Sequence, residues 1–503
     1  MRNQAARISR SVSQEVNMDL ENFRRHAHEM VDWMVDYFKN IENFPVKSQA
    51  KPGDIKRQLP LSPPEQGEPF ETIMKDFDEI IMPGITHWQH PSFFAYFNAN
   101  NSYPSVLGEM LTAALGAQCM SWQTSPAATE LEERVMQWTA KLIGLPDDFT
   151  GVIQDTASTA TLCSILTARE KFTDYQINRN GFSGERKFTL YCSGEAHSSV
   201  EKAVKIAGFG SENLRKIEVD SQYAMDPGAL EKALVEDTRQ GNRPLAVIAA
   251  LGTTGSIAVD PLRPIGEICK KYNLWLHVDA AYAGTGLLLP ENRRMIDGIE
   301  LVDTFVFNPH KWMFTNFDCS AYFVKDKEAL IRTFEILPEY LKTKEGDRVN
   351  NYRDWGIQLG RRFRALKLWL VIRTFGVEGL REKVRNHIQW AKELAGSIEN
   401  SPDFELLAPL HLGTVCFRYK PSHITDQEVL NKVNMELLET LNATGKVYLT
   451  HTKLRGVATL RLVVGQTYQE KRHIEKGWEL IRQTARDLKT NGKRSSIFYG
   501  KSV

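Results

Sequence analysis

Between about residues 150 and 325 the chain alternates short apolar runs with stretches of helical periodicity. That alternation restricts the fold more than any other feature. The runs are GVIQ (151–154), KFTLYC (187–192), LAVIAALG (245–252), LWLHVDA (274–280), DTFVFN (303–308) and SAYFVK (320–325). Helix-like stretches at 158–171, 197–208, 227–238 and 261–272 lie between several of them. Strand and helix in alternation produce right-handed βαβ crossovers and a mostly parallel sheet covered on both faces, so the expected class is α/β. Ligands of such sheets bind beyond the carboxyl ends of the strands. Those ends carry Thr156-Ala157-Ser158, His197, Thr253-Thr254, Asp279 and Asn308-Pro309-His310-Lys311.

The flanking regions read differently. Residues 1–17 are expected to form a disordered leader, with Arg2, Arg7 and Arg10 among serines and no clear apolar face. From 18 to 84 the pattern is helical: Phe23, Met30, Trp33, Met34, Tyr37, Phe38 and Ile41 recur at spacings of three and four. Such an aromatic stripe points to docking, and 18–84 is read as a dimerisation segment. Residues 85–375 form the expected large domain. Beyond them, 376–503 read as a small α+β domain, with helices at 376–399, 425–442 and 469–489 around TVCFRYK and ATLRLVV.

A net charge of +1 in 503 residues gives no reason to expect nucleic acid or an anionic membrane as partner. No apolar run approaches the roughly eighteen residues of a membrane span. Six scattered cysteines form neither a CxxC nor a metal-ligand spacing, so no metal is expected and the chain reads as cytoplasmic.

The stretch VFNPHKWMF (306–314) places a lysine where an apolar strand gives out. Most such lysines carry the head to water. A lysine beside a phosphate-binding turn, with a carboxylate on a neighbouring strand, is instead what pyridoxal 5′-phosphate requires. The amine condenses with the aldehyde, and the carboxylate keeps the ring nitrogen protonated so that the ring accepts electrons. The phosphate rests on a helix N-terminus with small hydroxyl residues, a role that TASTAT (156–161) fits.

HVDAAYAG (277–284), NPHKW (308–312), AHSSVEKA (196–203), LGTTG (251–255), FFAYFNANNSYP (93–104), SPAATELE (125–132), EYLK (339–342) and GRRFRALKLW (360–369) occur in this order. Together they resemble the aromatic L-amino acid decarboxylases, group II decarboxylases of the fold-type I pyridoxal-phosphate enzymes. The resemblance implies a homodimer that converts aromatic amino acids to amines with loss of CO2. It makes Lys311 the lysine bonded to the cofactor, Asp279 the partner of the ring nitrogen and His197 the stacked histidine that takes part in proton transfer. Thr156, Ala157, Ser158, Asn308 and His310 become the phosphate cradle, with Thr254, Ala281 and Gly360 close to the cofactor. The polar stretch 336–356 becomes a mobile lid whose Tyr340 protonates the product carbon.

Trp88, Tyr96 and Phe97 match positions that line the family's aromatic pocket, and an aromatic wall suits an aromatic substrate. Three departures bear on specificity and cofactor binding. Asp155 stands where the family often has glycine, close to the phosphate, and caps the next helix or repels the anion. Asn98 replaces a frequent proline. Gln118 and Met120 replace an aliphatic residue and a phenylalanine; Asn98 and Gln118 both offer hydrogen bonds to a phenol or an indole. Gly360 leaves room for a fused ring or serves backbone geometry alone; relatives selective for phenols or imidazoles often have serine there. Alternatives to plain decarboxylation are an aldehyde synthase, a histidine decarboxylase and a non-catalytic homologue, and the intact Lys311, Asp279, His197 and Tyr340 weigh against the first and the last.

Overall fold

The structure, a computed structural model, describes residues 18–182, 187–336 and 348–492. Among the described residues a seven-stranded sheet forms from β1 (Thr150–Gln154), β2 (Phe188–Ser193), β3 (Leu214–Ile217), β4 (Arg243–Ala250), β5 (Trp275–Asp279), β6 (Thr304–Phe307) and β7 (Ser320–Val324), in the order β1-β7-β6-β5-β4-β2-β3. Strands β3, β2, β4, β5 and β6 run parallel. Helices Ser198–Ile206, Pro227–Arg239 and Leu262–Tyr272 provide the crossovers. Leu262, Ile265, Gly266 and Cys269 are the buried face of the last of these, which ends at Asn273 with φ 53°. The expected α/β sheet is therefore present.

Strand β7 is antiparallel to both neighbours, β6 and β1. The connection from Phe307 to Ser320 holds only the short helix Pro309–Trp312. That is too little for a crossover that returns the chain to the same end, so β7 comes back the other way. The four-residue edge strand β3 has no counterpart among the apolar runs, because LRKI is too short and too polar to stand out.

A second, antiparallel sheet has the order β10-β11-β9-β8, with β8 Phe404–Leu406, β9 Thr414–Tyr419, β10 Thr450–Leu454 and β11 Val457–Val463. The long helix Arg364–Glu399 is interrupted at Gly376, whose φ of 64° and ψ of 171° lie outside helical space. Both sheets belong to one compact unit, Phe94–Met435 with Thr450–Ile474.

Of the described residues, a second compact unit comprises 18–93, Glu436–Leu449 and 475–492. Its first helix, Leu20–Lys39, is capped by Asp19, whose carboxylate accepts the Asn22 N–H at 2.8 Å. The aromatic stripe is partly used within this unit. Trp33 and Tyr37 stack at 5.5 Å, Trp33 meets Phe77 edge-on, and the Tyr37 hydroxyl lies 2.9 Å from His87 Nδ1. Leu20, Phe23, Val31 and Val35 stay exposed. The expected leader, residues 1–17, lies outside the described residues.

Candidate active site

Strands β4, β5 and β6 end side by side, and their ends are tied together. Ala281 N–H donates to Asp279 Oδ1 at 3.0 Å, and Asn308 N–H donates to the Ala281 carbonyl at 3.0 Å. Asp279 also accepts Leu251 N–H on its carbonyl at 2.8 Å. The turn after β6 then carries Lys311, whose N–H returns to the Asn308 carbonyl at 2.9 Å.

The Lys311 ammonium sits over the Phe97 ring, 5.2 Å from its centroid. Burial lowers its pKa below the ordinary 10.5; Asp279 opposes that shift and Arg461 adds to it. An amine so placed is easier to deprotonate, and a neutral amine is the nucleophile that attacks a carbonyl. Phe97 is backed by Tyr282, stacked at 4.2 Å, and Tyr282 by Trp312 at 4.8 Å. The aromatic residue under the lysine is thus the end of a rigid column.

His197 caps the helix Ser198–Ile206, its Nδ1 accepting the Ser199 N–H at 3.2 Å with the Ser199 hydroxyl 2.8 Å away. A backbone N–H can only donate, so Nδ1 is the acceptor and the proton of the neutral ring sits on Nε2. Partial burial holds its pKa below 6.5; Asp279 opposes this, while Lys311 and Lys202 add to it. His197, Asp279 and Lys311 therefore share one electrostatic neighbourhood.

Thr156 caps the helix Ala157–Lys171, its Oγ1 accepting Thr159 N–H at 3.3 Å. The N–H groups of Ala157 and Ser158 belong to the first turn, where no intrahelical carbonyl can reach them, and Ser158 is exposed. Asn308 Oδ1 accepts from the Ser320 hydroxyl at 2.7 Å, and that hydroxyl also lies 3.2 Å from the Asp155 carbonyl, which ties the turn after β6 to the start of the helix Ala157–Lys171. His310 is buried, with Nδ1 accepting Cys319 N–H at 2.9 Å and a pKa pushed down to about 3 by burial and by Lys311. Its ring is therefore neutral. Thr254 is half-buried beyond β4, while the neighbouring Thr253 is turned inward onto Ser256 and Ala258. A buried amine beside a carboxylate, a neutral histidine and open helix N–H groups fit an aldehyde-bearing phosphate ester.

Gln118, Met120 and Gly360 form a second cluster. Gln118 Oε1 accepts Arg361 N–H at 2.6 Å, Arg353 N–H donates to the Met120 carbonyl at 2.8 Å, and a Cβ on Gly360 would lie 3.3 Å from Gln118 Nε2. Tyr96 is exposed, with φ 53°. Asn98 is fully buried, and neither polar atom of its amide has a hydrogen-bond partner among the described residues. Trp88 belongs to the smaller compact unit, where it packs on Phe93 at 4.5 Å. Tyr340 lies outside the described residues.

Two residues escaped the reading of the sequence. Arg461 is 3% exposed, its guanidinium 5.2 Å from the Phe97 centroid, with Nε donating to the Gly255 carbonyl at 3.2 Å. Its signal was present: an arginine inside ATLRLVV is as anomalous as the lysine inside VFNPHKWMF. Asn100 holds the Lys311 and Gly465 carbonyls through Nδ2, both at 2.7 Å; it stands inside FFAYFNANNSYP, but nothing local told it apart from the asparagines beside it.

A family model of the pyridoxal-dependent decarboxylase conserved domain matches residues 52–420. The chain belongs to this family. Its cofactor is pyridoxal 5′-phosphate and its reaction class is that of a carboxy-lyase. The chain is 41% identical over 489 residues to a tyrosine decarboxylase of Papaver somniferum, covering 93% of this chain and 95% of that one. It is 44% identical over 479 residues to a phenylacetaldehyde synthase of Arabidopsis thaliana, covering 93% and 96%. Among solved structures, Oryza sativa TDC with PLP and tryptamine superposes with a TM-score of 0.91 at 36% identity, covering 94% of this chain and 99% of that one.

Proposed function

We propose that the protein decarboxylates aromatic L-amino acids, tryptophan, tyrosine, phenylalanine or DOPA, to the corresponding arylalkylamines. The observation that carries the reading is the Lys311 amine over the Phe97 ring, in the field of Asp279 and beside an aromatic column. Bound there, pyridoxal 5′-phosphate supplies a sink for the electron pair released as CO2 leaves. Lys311 holds the cofactor, Asp279 holds a proton on its ring nitrogen, and Ala157, Ser158 and Asn308 receive its phosphate. His197 keeps its ring fixed through Ser199 and offers the Nε2 proton. Tyr340 delivers the proton that completes the amine.

The test is amine release from tryptophan, tyrosine, phenylalanine, DOPA and histidine, with Lys311→Ala as control. The variant should lose both turnover and the visible band of the bound cofactor; an unchanged spectrum contradicts the assignment. The likeness to a phenylacetaldehyde synthase supports a second reading, oxidative release of an aldehyde with ammonia and peroxide. Assaying peroxide beside amine separates the two.

The proposed assembly is a homodimer in which the exposed Leu20, Phe23, Val31 and Val35 of the first helix meet a second copy. Deleting residues 1–45 should cost solubility; a soluble, active monomer would exclude it. The proposed setting is the cytoplasm. All six cysteines are free and buried, as in a reducing compartment, and among the described residues no helix is long and apolar enough to cross a membrane.

A further inference from the structure

We propose that Asp155 is a built-in competitor of the cofactor's phosphate: its carboxylate holds part of the anion site and thereby weakens the hold on the cofactor. The inference rests on the reading of the Thr156-Ala157-Ser158 turn as the phosphate cradle.

A helix start has backbone N–H groups that no intrahelical carbonyl can satisfy, and together with the helix dipole they attract an anion. In the helix Ala157–Lys171 one of them is already answered by a carboxylate. Asp155 Oδ1 accepts the Thr156 N–H at 2.5 Å and lies 3.3 Å from the Thr156 hydroxyl. The Thr159 N–H is answered by Thr156 Oγ1. Ala157 and Ser158 are left as the backbone donors open to a ligand.

The carboxylate is held in this position from a second side. Gln358 Nε2 donates to Asp155 Oδ2 at 3.2 Å, and the Ser320 hydroxyl lies 3.2 Å from the Asp155 carbonyl. Among the described residues no cation is paired with it. Arg364 feels its charge but is engaged by Asp318 through two hydrogen bonds, at 3.0 and 3.1 Å. A negative charge without a counter-charge at the mouth of an anion site does two things. It stabilises the helix start while the site is empty of phosphate, and it repels a phosphate that enters. A glycine at this position would do neither, and would leave the Thr156 N–H as a third donor.

The experiment measures cofactor affinity of the full chain after cofactor removal, by equilibrium dialysis with pyridoxal 5′-phosphate and, separately, with pyridoxal, which lacks the phosphate. Asp155→Asn keeps the shape and an oxygen acceptor and removes only the charge. It should bind pyridoxal 5′-phosphate about tenfold more tightly, since removal of one like charge near an ionised group is a change of that order. Its affinity for pyridoxal should not change. Asp155→Gly should tighten at least as much, and both cofactor-free variants should melt below the cofactor-free parent. Unchanged or weaker binding of pyridoxal 5′-phosphate by Asp155→Asn overturns the proposal, as does an equal gain for pyridoxal, which would point to a change in shape. Ser158→Asp separates this from the underlying reading. If it weakens pyridoxal 5′-phosphate while Asp155→Asn has no effect, the cradle stands and the role of Asp155 falls; if neither variant matters, the phosphate binds elsewhere and both fall.

Discussion

Among the described residues strand β1 lies at the edge of the large sheet, paired on one side only, and an ion pair covers its other side at Ile153. Glu132 Oε1 accepts the Ile153 N–H at 2.8 Å; Arg361 Nη2 donates to the Ile153 carbonyl at 2.8 Å and to the same Glu132 oxygen at 2.6 Å. Glu132 is 2% exposed and Arg361 8%. Replacing either partner with leucine strands a buried charge, which costs about 3–5 kcal/mol. If the two losses were independent, the double variant would lose about 6–10 kcal/mol. It should lose far less. With both charges gone, the main penalty is the unsatisfied Ile153 peptide, about 1–3 kcal/mol for each of its two polar groups. Glu132→Leu, Arg361→Leu and the double variant, unfolded in urea at one pH without cofactor, provide the measurement. A double variant whose loss equals the sum of the singles refutes this account of the pair. Because Ile153 lies just ahead of Asp155 and Thr156, the single variants should also retain less cofactor on dialysis.

Stability should fall as the pH drops below about 6.5. Burial first of all pushes His277 down to about 4 and His310 and His387 down to about 3, so the folded chain keeps them neutral while the unfolded chain binds protons. The unfolded state then holds more protons, and each histidine removes about 1.4 kcal/mol per pH unit between about 6.5 and its folded value. His387→Gln, which still offers an acceptor to Trp312 Nε1, should flatten that slope in unfolding experiments at pH 7 and pH 5.5; an unchanged slope counts against it. Gly360→Ser should lower turnover of tryptophan more than that of tyrosine, because its Cβ starts 3.3 Å from Gln118 Nε2 and overpacking costs about 1–3 kcal/mol. Equal losses on both substrates would leave Gly360 a backbone role alone. Tyr340→Phe should retain CO2 release but replace amine with aldehyde, ammonia and peroxide; amine at the parent rate with no peroxide means that another group delivers the proton.

Residues near one another in sequence declare themselves there. The runs that became β1, β2 and β4 to β7 are apolar because both faces of the sheet are covered, and burial of that kind is written locally. NPHKW and HVDAAYAG pointed to Lys311 and Asp279 because strand-end chemistry occupies a few consecutive positions. TASTAT marked a helix start for the same reason, and Thr156 is its cap.

Only tertiary structure decided the rest, since it depends on pairs far apart in the chain. The direction of β7 follows from how little helix fits between Phe307 and Ser320. Glu132 meets Arg361 across 229 positions, and Arg461 reaches the Phe97 ring from β11 of the four-stranded sheet. Gln118 offered a hydrogen bond to a substrate ring on sequence grounds, yet its carbonyl oxygen is taken by the Arg361 N–H, which leaves it a donor. Asp155 was a choice between a cap and a repelling charge, and its contacts with Thr156 and Gln358 set it at the helix start. Composition and periodicity report what a residue needs from its surroundings; which distant group meets that need is settled when the chain closes on itself.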